Sequence, residues 1–236
     1  MIVAVLIIIL VLATIYWLFM SSYSQVFGAY PYKGVTSEPV IALTFDDGPN
    51  EPYTSQIVDY LNGMNIRATF FQVGKCVERY PGVSKKMMRA GHVIGNHSLS
   101  HEFYQYCLHP RFMDEVKQNQ IILRQAMGKT PGLYRSPWLL RQPWLLSTVK
   151  KQSLRPVSGV FCHPLEPWQP TAARIAKRAI KKAKPGTILI FHDGVEGRGG
   201  DRSQTVEAIK ITVEELLRRN YKFVTVDELL GIPAYI

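Results

Sequence analysis

From residue 40 to the C-terminus, short apolar runs alternate with amphipathic stretches, and this alternation restricts the chain to folds in which parallel strands are joined by crossover helices. The apolar runs occupy 40–45, 68–73, 92–96, 132–135, 155–160, 187–191 and 222–226, and several are rich in β-branched or aromatic residues. Their length and composition suit seven buried strands. Helical patterns fill 54–62, 83–90, 112–127, 144–151, 171–183 and 203–220. Thr54 and Ser203 are N-cap types, Pro170 stands just before a helix, and Gly91, Gly128 and Gly186 fall where helices should stop. A barrel and a doubly wound sheet both fit. In either, ligands and catalysis belong just past the carboxyl ends of the strands.

Residues 2–20 form a separate feature, because they contain no charged side chain. A helix of that length covers about 28 Å, close to the roughly 30 Å hydrocarbon core of a bilayer. Tyr16 and Trp17 lie where interfacial aromatics are expected. The stretch lacks the basic start and small-residue cleavage site of a signal peptide, so 1–20 is read as a single transmembrane anchor, with a cleaved signal as the alternative. Residues 21–37, built from Ser, Gly, Tyr and Pro without helical or strand period, are read as a flexible tether, and 38–236 as one domain without repeats. With 47% hydrophobic and 19% charged residues, disorder is excluded. Cys76, Cys107 and Cys162 are too few and scattered for a disulfide scaffold or a paired-CxxC zinc module. They are read as reduced, buried thiols, with one disulfide and a leftover thiol as the alternative.

The polar residues behind the strands are of an unusual kind. The first strand ends in Thr44-Phe45-Asp46-Asp47-Gly48-Pro49. Adjacent carboxylates at a buried strand end repel each other and need a cation or a proton. The third strand leads into Asn96-His97-Ser98-Leu99-Ser100-His101, whose imidazoles converge if the segment takes one helical turn. A carboxylate and two neutral imidazoles make a three-ligand site with positions open to water, leaving the second carboxylate to act as a base. Two further strand ends carry Tyr134-Arg135-Ser136-Pro137-Trp138 and Leu189-Ile190-Phe191-His192-Asp193-Gly194.

In their order and spacing these four segments resemble the polysaccharide deacetylases of the NodB-homology type, carbohydrate esterase family 4, over nearly the whole globular part. The resemblance implies an α/β fold, a distorted (β/α)7-type barrel, and metal-dependent hydrolysis of an N-acetyl group from an amino sugar. It makes Asp46 the catalytic base, Arg135 the residue that pairs with that base, and His192 the acid that protonates the leaving amine. Asp47, His97 and His101 become the ligands of a divalent ion, with zinc the default and cobalt, nickel or manganese compatible with the same donors. Ile190 and Trp138 correspond to substrate-contacting positions.

At the fifth strand the chain departs from the family, which has an Asp-x-x-Asp-Trp segment whose first Asp holds the catalytic histidine. Here the stretch is Phe161-Cys162-His163-Pro164-Leu165-Glu166-Pro167-Trp168. Glu166 and His163 are therefore the candidates to hold His192, and Trp168 is either a wall of the acetyl pocket or core packing. Charge is also uneven: between Arg141 and Gly186 ten Lys and Arg face the single acid Glu166. Arg174, Lys177, Arg178, Lys181 and Lys182 recur at helical spacing, which gives a solvated face or one drawn to anionic lipid or glycan. Nucleic acid is not expected.

The expectation is a membrane-anchored, single-pass N-deacetylase of a chitin-like or peptidoglycan glycan, with oligomeric state unknown. The first cation after the span is Lys33, and taken alone it places the domain in the cytoplasm; a wall substrate places it outside, and N-in, C-out is adopted. An inactive, tethered glycan-binding protein and a deacylase of a non-sugar amide are the rival readings. His92 and His109 are read as structural or surface residues.

Overall fold

A computed structural model of the chain describes residues 1–107 and 112–236, so His109 lies outside the described residues. Eight parallel strands form the sheet: β1 (Val40–Asp46), β2 (Thr69–Gln72), β3 (Val93–Asn96), β4 (Leu133–Tyr134), β5 (Arg155–Pro156), β6 (Val160–Phe161), β7 (Ile188–His192) and β8 (Lys222–Val224). They are ordered β5-β4-β3-β2-β1-β7-β6, with β8 paired to the first half of β1. This is the expected distorted barrel.

Alternation along β1 shows how the barrel is built. Ile41, Leu43 and Phe45 join the large core under the outer helices, whereas Ala42 belongs to a separate cluster with Phe71, Leu133 and Val157. A strand's side chains point alternately to its two faces, so Thr44 and Asp46 share the face of Ala42. The helices Tyr53–Gly63, Phe112–Met127, Ala172–Lys182 and Ser203–Arg218 lie close to their expected bounds. The cap of the first is different. Thr54 lies inside the helix, where its hydroxyl accepts the Asn50 N–H at 2.8 Å and donates to Asp193 Oδ2 at 2.7 Å.

One expected strand is divided. The stretch 155–160 yields two short strands, β5 and β6, at opposite ends of the strand order. Between them the carbonyls of Val157 and Ser158 accept from the Arg135 guanidinium at 3.2 and 2.8 Å, and so leave the ladder. Gly159 is required there, since a Cβ would lie 2.6 Å from Ile190 Cγ1.

The segment read as a tether makes contacts that its composition did not announce. Ser158 N–H donates to Pro31 O at 2.9 Å, Ile188 N–H to Tyr32 O at 3.2 Å, and the hydroxyl of fully buried Tyr30 accepts the Ser136 N–H at 3.0 Å. These bonds seat residues 30–32 beside the break between β5 and β6. Arg141, also fully buried, donates to Ser24 O at 2.6 Å and to Ser21 O, and lies over the Tyr30 ring. Arg141→Ala leaves those carbonyls without their charged donor and is expected to cost about 2–4 kcal/mol. Chemical denaturation of the detergent-solubilised chain measures the loss. Ahead of this segment, the helix Ile2–Met20 has a mean hydropathy of 3.0 and no buried residue. Cys76 and Cys162 are buried free thiols.

Candidate metal centre and cleft

β1 delivers both carboxylates. Asp46 Oδ1 accepts from Arg135 Nη1 at 2.7 Å, and the same nitrogen reaches Thr44 Oγ1 at 2.7 Å. Arg135 is fully buried, with its guanidinium carbon 4.0 Å from the centre of the Phe71 ring. The strand ends at Asp46, and the φ of 77° at Asp47 turns the next carboxylate away from the direction of Asp46. Asp47 Oδ2 accepts the Glu196 N–H at 2.9 Å. Its Oδ1 lies 3.4 Å from His97 Nε2 and 3.1 Å from His101 Nε2, buried and without a hydrogen-bond donor.

The two histidines meet, but not through the expected helical turn. Ser98 and His101 adopt φ of 71° and 56°. The bend is held by the Ser98 N–H on Asn96 Oδ1, at 2.8 Å, and by both the N–H and hydroxyl of Ser100 on Glu115 Oε2. Local side-chain acceptors thus replace helix hydrogen bonds. His97 Nδ1 lies 2.8 Å from Arg135 O. A carbonyl only accepts, so Nδ1 carries the proton and the neutral ring presents a bare lone pair at Nε2.

These facts test the site for a cation. A lone pair of His97 and an unpartnered oxygen of Asp47 face one another across 3.4 Å, in a buried place with no donor between them. Ligand atoms of Asp47, His97 and His101 all lie within 4.8 Å of one another. A divalent ion relieves this repulsion, so the residues fit one, and two imidazoles with a carboxylate suit zinc, cobalt, nickel or manganese.

On the neighbouring strand, His192 ends β7 in register with Asp46. Its Nδ1 is 2.5 Å from Oε2 of Glu166, which is fully buried and also accepts the Thr205 hydroxyl. Burial alone would lower the pKa of His192; Glu166 outweighs it and raises the value to about 9. Arg202, fully buried, lies 3.9 Å from Glu166 Oε1. His163 instead accepts the Leu165 N–H at 3.0 Å within its own turn. Of the two candidates, Glu166 is the one found on His192.

The aromatic candidates divide. Trp138, with φ of 53°, packs its ring edge-on against His101, the ring centres 4.4 Å apart. Trp168 is 76% exposed and therefore not core, and with Trp138 it lines a cleft of about 760 Å³ that contains Asp46, Asp47 and His192. Ile190 does not line that cleft; it is fully buried with Tyr30 and Tyr134. Sequence reasoning missed Glu196, Arg202 and Thr205, which carry no motif, and also Tyr16, Met20 and Tyr23, which line the same cleft. His92 takes no part: its Nδ1 accepts the Ala68 N–H, and burial pushes it down to about 4.

Behind the centre, Asp193 is buried against Gly48, and burial raises its carboxyl to about 7. A Cβ on Gly48 would stand 2.0 Å from Asp193 Oδ2. Gly48→Ala is expected to destabilise the fold by about 1–3 kcal/mol, read as a lower urea midpoint.

The model of the polysaccharide deacetylase family matches residues 33–157. A peptidoglycan-N-acetylglucosamine deacetylase of Bacillus cereus is 34% identical over 86% of this chain and 93% of its own length. Among solved structures, the Bc1960 peptidoglycan N-acetylglucosamine deacetylase superposes with a TM-score of 0.80 at 26% identity, over 87% of this chain and 94% of its own. A family 4 acetyl xylan esterase from Clostridium thermocellum, in complex with a cobalt ion, has a TM-score of 0.72 at 32% identity, over 83% and 94%.

Proposed function

This chain belongs to the polysaccharide deacetylase family, and on that premise we propose that it hydrolyses N-acetyl groups from an amino-sugar polymer or oligomer, of chitin or peptidoglycan type, releasing acetate and a free amine. One observation carries the reading: a buried, donorless carboxylate oxygen and two imidazoles form a cation cradle beside a second carboxylate that an arginine already holds.

Asp47, His97 and His101 would hold the ion. When bound, a divalent ion supplies a Lewis acid that withdraws charge from an amide carbonyl and makes water more acidic. Arg135 holds Asp46 by its Oδ1, leaving Oδ2 to take a proton from the attacking water. As the water oxygen bonds to the acetyl carbon, His192 stands in the same cleft with its proton. Donation of that proton to the sugar nitrogen lets the C–N bond break with a neutral amine as leaving group. Glu166 keeps His192 charged until then. Trp138 and Trp168 offer flat apolar faces to a sugar ring.

The helix Ile2–Met20 is read as a single-pass anchor, with the domain on the wall side of the membrane. The test is acetate release by the full chain from chitin oligomers, peptidoglycan, acetyl xylan and small acetamides. Acetate and new amine from the N-acetylated glycans support the reading. Release from acetyl xylan alone makes the chain an esterase, and release from small acetamides alone a non-sugar deacylase. A bound ion without turnover on any substrate makes it an inactive glycan-binding protein.

A further inference from the structure

The N-terminal helix is built into the wall of the cleft. Tyr16 and Met20 of the helix and Tyr23 beyond it line the same cleft as Asp47 and His101. The junction is fixed, because the Arg141 N–H donates to Phe19 O at 2.9 Å and its guanidinium holds Ser21 O and Ser24 O. If the 19 residues span a hydrocarbon core of about 30 Å, they use their whole length, and the boundary falls in the last turn. That turn is the one on the cleft wall, so the mouth opens within the headgroup layer.

Two independent features around the cleft agree. Leu165 and Trp168 are 55% and 76% exposed, an apolar rim of the kind that enters an interface. Beside them runs the helix Ala172–Lys182, tied to the wall by Lys182 Nζ on Phe161 O at 2.7 Å. Arg174 and Arg178 of this helix lie near enough to His163, itself in the cleft lining, to depress its pKa after burial has done so. Arg174, Lys177, Arg178 and Lys181 are exposed, and among the described residues none has a carboxylate within salt-bridge distance. An apolar rim bordered by unpaired cations matches an anionic bilayer surface.

We propose that the substrate is an N-acetylated amino sugar carried on a membrane lipid through a phosphate, and that the domain takes it at headgroup level while lying on the bilayer. This rests on the deacetylase reading of the site and on the helix being a span. A lipid-borne sugar reaches such a mouth by diffusion in the membrane plane, and its phosphate meets the cations; a glycan strand of the outer wall would have to descend into the headgroups.

The test uses the full chain in vesicles of phosphatidylglycerol and phosphatidylcholine, with two substrates: N-acetylglucosaminyl phosphate of a long polyprenol in the same bilayer, and soluble chitotetraose. Confinement to a common surface acts as a raised effective concentration, and the expected kcat/KM is about 100-fold higher for the lipid-borne sugar. Acetate from chitotetraose with no faster release from the lipid overturns this inference and leaves the deacetylase reading standing. Acetate from neither overturns both. A second measurement is independent of turnover. With the three native cysteines replaced by alanine, a nitroxide on Leu165→Cys should gain contact with oxygen dissolved in the bilayer. One on Lys222→Cys, at the far end of β1 and β8, should remain water-exposed. Equal, water-like exposure of both labels contradicts the proposed orientation.

Discussion

Asp46→Asn should lower acetate release by about 10²- to 10⁴-fold while the chain still binds its cation, whereas Asp47→Ala should abolish both. The two carboxylates are neighbours in sequence, yet they differ in every contact. Asp46 is engaged by Arg135, and an amide in its place keeps a similar shape but accepts no proton from water. Asp47 turns its Oδ1 to His97 and His101, so its loss leaves two imidazoles with no carboxylate beside them. Activity and bound metal, measured on the same preparations, separate the roles. Equal loss of metal in both variants would show that the carboxylates share the ion, and full activity in Asp46→Asn would remove it as the base.

Glu166→Gln should shift the high-pH limb of the rate profile downward by about two units. The sign follows from the site. His192 must carry a proton to act as acid, so activity falls as pH rises through its pKa. Burial pushes that pKa down and Glu166 brings it up to about 9. Without that carboxylate the downward push of burial is opposed only by the smaller pull of Asp47 and Asp46, so the variant loses most activity at alkaline pH and least near pH 6. A bound cation lowers the limb in both proteins, and the difference between them is the readout. Gln also leaves buried Arg202 without its nearby charge, which lowers stability; Glu166→Asp keeps the charge and should recover the alkaline activity. A profile that does not move in Glu166→Gln would mean that His192 is not the group that limits the rate at high pH.

The residues gathered at this centre were legible because their types are unusual where they stand. A second Asp behind an apolar run and a His pair behind another cannot be explained by packing, and the barrel brings these strand ends together. The strand and helix alternation was equally plain, down to the helix Phe112–Met127. What stayed hidden depends on distant partners. No local pattern in 155–160 shows that two of its carbonyls serve Arg135 and break the strand. Thr54 suits an N-cap, but the side chain it meets is Asp193, far along the chain. The helices Gly74–Arg79, Phe103–Cys107 and Val226–Leu230 are too short to show a period. The contacts of 21–37 are not legible in the sequence because Ser, Gly and Tyr read as loop, and their partners, among them Ser136, Arg141, Ser158, Gly186 and Ile188, lie far along the chain.

The central claim is that one divalent ion, held by Asp47, His97 and His101, makes this cleft hydrolytic. The most direct measurement titrates zinc into the chelator-stripped full chain and follows bound ion and acetate release from chitotetraose together. Both should rise in parallel, saturate at one ion per chain, and vanish in His97→Ala. Acetate release that survives complete stripping, or an ion that binds equally well in His97→Ala, would contradict the account.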